Sequence, residues 1–331
     1  MKDLKADIRD KTYKRAYLLY GEEKFLIRYY ENLLKEALLP SGADIMNYDA
    51  FEDKAVSGQR ILDACRTAPF FNEYRMVLVR DSKLFVPGRK ADADFTADFL
   101  AEIPESTVLV FVEGDVDRRS RLFKKLSDAG GAAEFKTPAD KELSVWVNNM
   151  VKKRGCGIAA NAAQLLLRTT ARNMEALSSE IEKLTGYVGA GRQIAASDVE
   201  EICTPALETQ IFSLVDAVGA KNPERALDLF NNMLLMKEQP LIILTMIIRQ
   251  FRLVLLVREL SGKGRSNNDI ANFLSIRGFV VTECLRQGSG FKKDDLASAL
   301  KDCLEADLNI KNGRMSDKLA IETIIVKYSG K

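Results

Sequence analysis

The stretch YLLYGEEKFLIRYY, Tyr17 to Tyr30, places an apolar β-type run, a glycine and an amphipathic helical pattern in immediate succession. A phosphate-binding loop occupies this kind of setting. Such a loop needs Gly-x-x-x-x-Gly-Lys-Ser/Thr: backbone N–H groups wrap the phosphate, the lysine neutralises it and the hydroxyl holds magnesium. Here Gly21 is followed by Glu22, Glu23, Lys24 and Phe25. The loop is too short, lacks a second glycine and places no hydroxyl. Glu22 and Glu23 are expected in the first turn of the following helix, where the dipole favours negative charge. The chain's own carboxylates would then fill the anion site and repel a triphosphate. The stretch is expected to be a strand–turn–helix with a degenerate, non-functional phosphate loop, so no cofactor is expected.

Working outward, residues 16 to 135 alternate strand-like and helix-like runs. Strands are expected at AYLLY (16–20), MNYDAF (46–51), RMVLVR (75–80), TVLVFV (107–112) and GAAEF (131–135). Helical patterns fall near 22–38, 57–67, 91–102 and 117–128. RMVLVR and TVLVFV hold apolar runs without alternation, as strands buried on both faces of a parallel sheet require. An α/β domain with right-handed crossovers is expected over 1–139. From about residue 140 strand signals stop. A small helical domain is expected over 140–207, with Gly155 and Gly186 as helix stops and Ser197-Asp198 as an N-cap. Seven further helical patterns follow over 208–331, with Pro223 and Pro240 at helix starts, where a missing N–H is harmless.

Composition narrows the functional classes. Hydrophobic residues are 47% and charged residues 29% of 331, with a net charge of +2. The small excess of basic groups lies in the last third, so charge alone does not mark a high-affinity nucleic-acid binder. The chain has no histidine, which excludes imidazole catalysis and histidine-ligated metals. Five scattered cysteines without Cys-x-x-Cys spacing argue against zinc and disulfides and fit a reducing cytoplasm. No signal peptide is visible at the charged N-terminus. The most apolar run, PLIILTMIIRQFRLVLLV, is interrupted by Arg249, Gln250 and Arg252 and is expected to be a helix buried on most sides, not a membrane span. No catalytic residues and no metal site emerge. Asp81, Glu113 and Asp115 follow strands where a magnesium-binding acid could lie, but no lysine accompanies them.

Two other stretches could form surfaces. VDRRSRLFKKL places Arg118, Arg121 and Lys125 along one expected helix face with Leu122 and Leu126 turned inward. That face is either simply solvated or tracks the phosphates of duplex DNA. In TAPFFNEYRMVLVR, Pro69, Phe70 and Phe71 fall between a helix ending near Arg66 and a strand beginning near Arg75. Two adjacent phenylalanines in a short polar-flanked loop either fill core space or anchor a partner.

Taken together, YLLYGEEKFLI, APFFNEYRMVLVRD, VLVFVEGDVDRRSRLFKKL, ALETQIFSLVDAVGAKNPERALDLFNNML, PLIILTMIIRQFRLVLLVREL and EADLNIKNG, in this order, resemble the delta subunit of bacterial DNA polymerase III, a clamp-loader subunit. The resemblance covers nearly the whole chain. It implies an AAA+-like α/β domain without a functional P-loop, a helical lid and a C-terminal helical collar for oligomerisation. It also implies a non-catalytic member of the polymerase III holoenzyme that binds and opens the sliding clamp (beta subunit) for loading onto primed DNA. The implied partners are tau/gamma-type and delta-prime-type subunits within a cytoplasmic, nucleoid-associated replisome. In such subunits two adjacent large apolar residues after the second helix, often Leu-Phe, grip the clamp. The matching positions are Phe70 and Phe71, with phenylalanine replacing leucine at the first. The alternatives are an active AAA+ ATPase with an atypical phosphate loop and a purely structural scaffold.

Overall fold

Apolar runs such as RMVLVR and TVLVFV have no solvent-facing side, so they belong in a sheet covered by helices on both faces. The computed structural model, which describes residues 2–40, 42–53 and 56–330, has this arrangement. The chain divides into two compact units, Met1–Glu142 and Leu143–Lys331.

The first unit runs α1 (Lys2–Asp10), β1 (Ala16–Gly21), α2 (Lys24–Leu38), α3 (Asp44–Asn47), β2 (Tyr48–Phe51), α4 (Gly58–Arg66), β3 (Arg75–Arg80), α5 (Lys90–Phe99) with a 3-10 turn at Leu100–Glu102, β4 (Thr107–Glu113), α6 (Arg121–Asp128) and β5 (Ala132–Phe135). The five strands form one parallel sheet in the order β2-β3-β4-β1-β5. β4 lies at its centre and β1 between β4 and β5, with Leu18 opposite Phe111 on β4 and Ala132 on β5. Leu18, Val77, Val79, Leu109 and Phe111 pack with Ile61, Leu62, Cys65, Leu122 and Leu126 into one core. The inward direction expected of Leu122 and Leu126 holds.

Three details differ from the sequence reading. Met46 and Asn47 belong to the short α3, so β2 begins only at Tyr48. Helix α6 begins at Arg121 under a Ser120 N-cap, which leaves Arg118 in the preceding turn. Helix α1 has no counterpart in the apolar pattern. Its Leu4 is buried, and its Asp7 accepts hydrogen bonds from the Tyr17 hydroxyl (2.9 Å) and the Lys14 ammonium.

Helix α7 (Asp140–Lys153) carries the chain into the second unit. There follow β6 (Gly157–Ile158), α8 (Ala160–Thr169), α9 (Met174–Val188), β7 (Gln193–Ile194) and α10 (Ala196–Ile202). Beyond them lie α11 (Leu207–Gly219), α12 (Pro223–Leu235), α13 (Pro240–Gly262), α14 (Asn267–Leu274), α15 (Gly278–Gly288), α16 (Lys293–Lys311) and α17 (Asp317–Ser329). The two-residue strands β6 and β7 pair in parallel, which the all-helical expectation missed. Gly186 lies inside α9, and the stop is Gly189, in the left-handed region at φ +82°. Asp198 acts from within α10, its carboxylate accepting from the Ala195 N–H at 2.7 Å. Pro223 and Pro240 do open their helices.

Helices α11 to α17 enclose a core drawn from residues between Leu207 and Tyr328. At its centre is α13, long and apolar enough to cross a membrane by length and composition. It packs instead against α11, α14, α15, α16 and α17. It is less enclosed than its sequence suggests, since Leu241 and Ile242 in its first turn are exposed. Gln250, a polar interruption in the apolar run, is buried and donates to Gln287 Oε1 (2.6 Å), while Gln287 donates to the Phe212 carbonyl (3.0 Å). This bridge ties α13, α15 and α11. Gln287→Leu leaves the Gln250 amide only the weak Cys284 sulfur acceptor at 3.6 Å and is expected to cost about 1–3 kcal/mol in chemical denaturation. Gln250→Met combined with Gln287→Met removes both partners and is expected to recover much of that loss.

Candidate functional site

In a parallel sheet every loop falls at one of two edges. The turn after β1 lies at the carboxyl edge, where phosphate loops form. Gly21 sits there at φ +129°, and a Cβ on it would lie 2.4 Å from the Phe135 carbonyl oxygen. The backbone of β5 thus closes on the turn, and only glycine fits. The Glu23 N–H donates to that same Phe135 carbonyl (3.1 Å), and the Lys24 N–H donates to the Glu22 carbonyl (3.1 Å). Two N–H groups that would face a phosphate are already engaged. Glu22 and Glu23 precede the helix and do not lie in its first turn: Glu23 is the N-cap residue, and its side chain caps nothing. Their charges still stand at the helix start.

The acids after the neighbouring strands are not assembled into a site. Glu113 is buried and accepts from the Ser82 N–H (2.9 Å) and the Ser82 hydroxyl (2.5 Å). Asp81 and Asp115 are exposed. Among the described residues, no group of three or more potential metal ligands forms. All five cysteines are free and buried, and burial pushes the thiols of Cys65, Cys203, Cys284 and Cys303 up to about 12.

The basic stretch is dispersed by its partners. Arg118 pairs with Glu134 on β5, while Arg121 and Lys125 share Asp98 on α5. The Arg121 guanidinium holds the Asp98 carboxyl below its usual range. Lys125 also donates to the Ala97 carbonyl at 2.8 Å. The three cations do not form one unopposed helix face.

The aromatic pair lies at the opposite, amino edge, in the loop between α4 and β3. Its side chains do not fill the core: Phe70 is 54% and Phe71 95% exposed, with Pro69 half-buried beside them. The rings meet edge to face with centroids 4.6 Å apart and an interplanar angle of 87°. Phe71 adopts φ +48°, in the left-handed region that non-glycine residues rarely occupy. Asn72 donates to the Tyr74 carbonyl (2.5 Å) and the Leu38 carbonyl (3.1 Å), tying the loop to the end of α2.

The preceding crossover contributes residues that sequence reasoning missed. Ile45 is 80% and Met46 57% exposed on α3, and the adjacent Asn47, only 1% exposed, hydrogen-bonds the backbone of Phe70. Arg75 donates to the Met46 carbonyl at 2.9 Å and pairs with Asp49. Met46 and Asn47 were hidden by their resemblance to the start of a strand.

The family model for the DNA polymerase III delta subunit matches residues 17–135, and the model for that subunit's C-terminal domain matches residues 208–328. The chain belongs to the DNA polymerase III delta-subunit family. It is 25% identical over 321 residues to the Bacillus subtilis DNA polymerase III subunit delta, covering 94% of this chain and 92% of that one. A probable delta subunit from Aquifex aeolicus is 21% identical over 273 residues, covering 80% and 76%. Among solved structures, the Bacillus subtilis DNA clamp loader delta protein superposes with a TM-score of 0.80 over 100% of this chain and 99% of that one, at 22% identity. The likeness confirms the fold.

Within this family framework Glu113 is a structural acid, and its chemistry is testable. Burial pushes its carboxyl above the ordinary range, so the folded chain holds that proton more tightly than the unfolded chain. The ionised group therefore costs stability once pH exceeds the ordinary carboxyl range and costs nothing well below it. Glu113→Gln keeps an acceptor for Ser82 without the charge. It is expected to melt higher than wild type at pH 7, with the gap closing as pH falls toward about 4. A melting series across that range checks this.

Proposed function

We propose that this delta-family chain is the non-catalytic clamp-loader subunit that binds and opens the sliding clamp, with Phe70 and Phe71, backed by Pro69, as its anchor. The observation that carries the reading is the exposed, edge-to-face aromatic pair on a tip pinned by Asn47 and Asn72. A closed ring opens only for a ligand that binds the opened or distorted form better. Two large aromatic groups fixed in direction by a sheet suit that task, because they bury much apolar area for little lost rotamer freedom.

The carboxyl edge supports the non-catalytic part. Phe135 closes on the Gly21 turn and takes the Glu23 N–H, leaving an AAA+-like domain without a phosphate grip. In this reading residues 1–139 present the tip and residues 140–207 form a lid. Residues 208–331 form the collar that assembles with tau/gamma-type and delta-prime-type subunits in a cytoplasmic, nucleoid-associated replisome. Primed DNA is held by the assembled ring. Arg118, Arg121 and Lys125 would reach it only by giving up their acidic partners, so their share of that contact is minor.

Two measurements test the reading. Truncating a central aromatic anchor typically costs about 2–4 kcal/mol, or roughly 30- to 1,000-fold in affinity. Phe70→Ala with Phe71→Ala is therefore expected to abolish micromolar binding to the cognate clamp in surface plasmon resonance, with circular dichroism and loader assembly unchanged. Wild-type affinity in that variant would sink the assignment. Titrating the unmodified chain with ATP in a calorimeter is expected to give no saturable heat; micromolar binding would restore a nucleotide role.

A further inference from the structure

Tip loops held by their own backbone ladder need no outside help, but the loop carrying Phe70 and Phe71 has no such ladder. Outside helices and strands, the backbone–backbone hydrogen bonds nearest to it are Thr67 N–H to the Ala64 carbonyl and Arg75 N–H to the Ser106 carbonyl. Between these two, the shape of the loop rests on side chains: Asn72 reaches out to the Leu38 carbonyl, and Asn47 reaches in from outside the loop. Its Oδ1 accepts the Phe70 N–H at 2.6 Å, and its Nδ2 donates to the Phe70 carbonyl at 2.9 Å and to the Ala43 carbonyl at 2.9 Å. Both backbone polar groups of one aromatic residue are held by a single buried amide, which is itself tied to the start of α3.

We infer that Asn47 is the positioning residue of the partner-binding tip. Resting on the clamp-binding reading above, the inference is that Asn47 sets the direction of the Phe70–Phe71 ring pair and joins it to the exposed Ile45 and Met46. The four residues then meet the clamp as one preformed surface. The two segments belong to different crossovers, 23 residues apart, and both lie at the amino ends of adjacent strands β2 and β3. Holding the N–H and the carbonyl of Phe70 fixes the backbone of that residue beside Phe71, which stays at its left-handed φ with its ring almost wholly in solvent. Without the amide, the loop loses the contacts that specify this conformation, and the ordering cost moves to the binding step.

The test uses the full chain with 4-fluorophenylalanine at position 71, alone and against the immobilised cognate clamp. Asn47→Ala is expected to shift and narrow the fluorine resonance in the free chain and to weaken clamp binding by at least 10-fold, mostly through faster dissociation. Asn47→Ser keeps one small uncharged hydrogen-bonding group, so a smaller change in the same direction is expected. It also carries the test if the alanine variant does not fold. A residue that merely supported the fold would lower the melting temperature without moving the fluorine resonance. Folded variants of Asn47 with a wild-type fluorine spectrum and wild-type clamp affinity would overturn the inference. A wild-type chain that ignored the clamp would overturn the clamp reading, and the fluorine spectra would still decide whether Asn47 holds the tip.

Discussion

A sheet of parallel strands buried on both faces forces each connection to cross over through a helix, and so sorts every loop of the first unit onto one of two edges. That constraint governs what the unit can do. The carboxyl edge receives the turn after β1, and the amino edge receives the tip between α4 and β3. The interior strands β1, β3 and β4 are buried along nearly their whole length, so their side chains have almost no solvent face. Whatever the two edges present, they present from a fixed platform.

On the carboxyl edge, absence of a motif is matched by presence of something else. The β5 backbone approaches Gly21 so closely that no side chain fits, and the Phe135 carbonyl occupies the donor that an anion would seek. A turn at this edge with unsatisfied N–H groups would cost hydrogen-bonding energy. Here the chain satisfies itself. The same self-pairing recurs along the basic stretch, where Glu134 and Asp98 each lie opposite cations that sequence alone places on an open face.

Much of this was legible in the sequence because burial on two faces leaves an unambiguous trace. RMVLVR and TVLVFV became β3 and β4 with little adjustment, and the seven helical patterns beyond residue 208 became α11 to α17. Legibility failed where structure depends on distant pairing. Arg118 has helical spacing, yet Ser120 caps α6 at Arg121 and leaves Arg118 in the turn, where it pairs with Glu134, 16 residues away. MNYDAF looked like one strand because Met46 is apolar, yet Met46 is exposed and Asn47 turns inward to reach Phe70. The two-residue pairing of β6 with β7 carries too few residues for any period. The place of the phenylalanine pair in the loop could be read; that it faces solvent, and what holds it there, could not.

Strand β3, with six residues between the two edges, sets a separation of about 20 Å. Substitutions that far apart, sharing no partner, act on stability almost independently. One edge of such a domain can therefore change its chemistry while the other is refined for recognition, neither change burdening the other. The sheet is then a beam with two independent ends: one closes on Gly21, and the aromatic pair projects from the other.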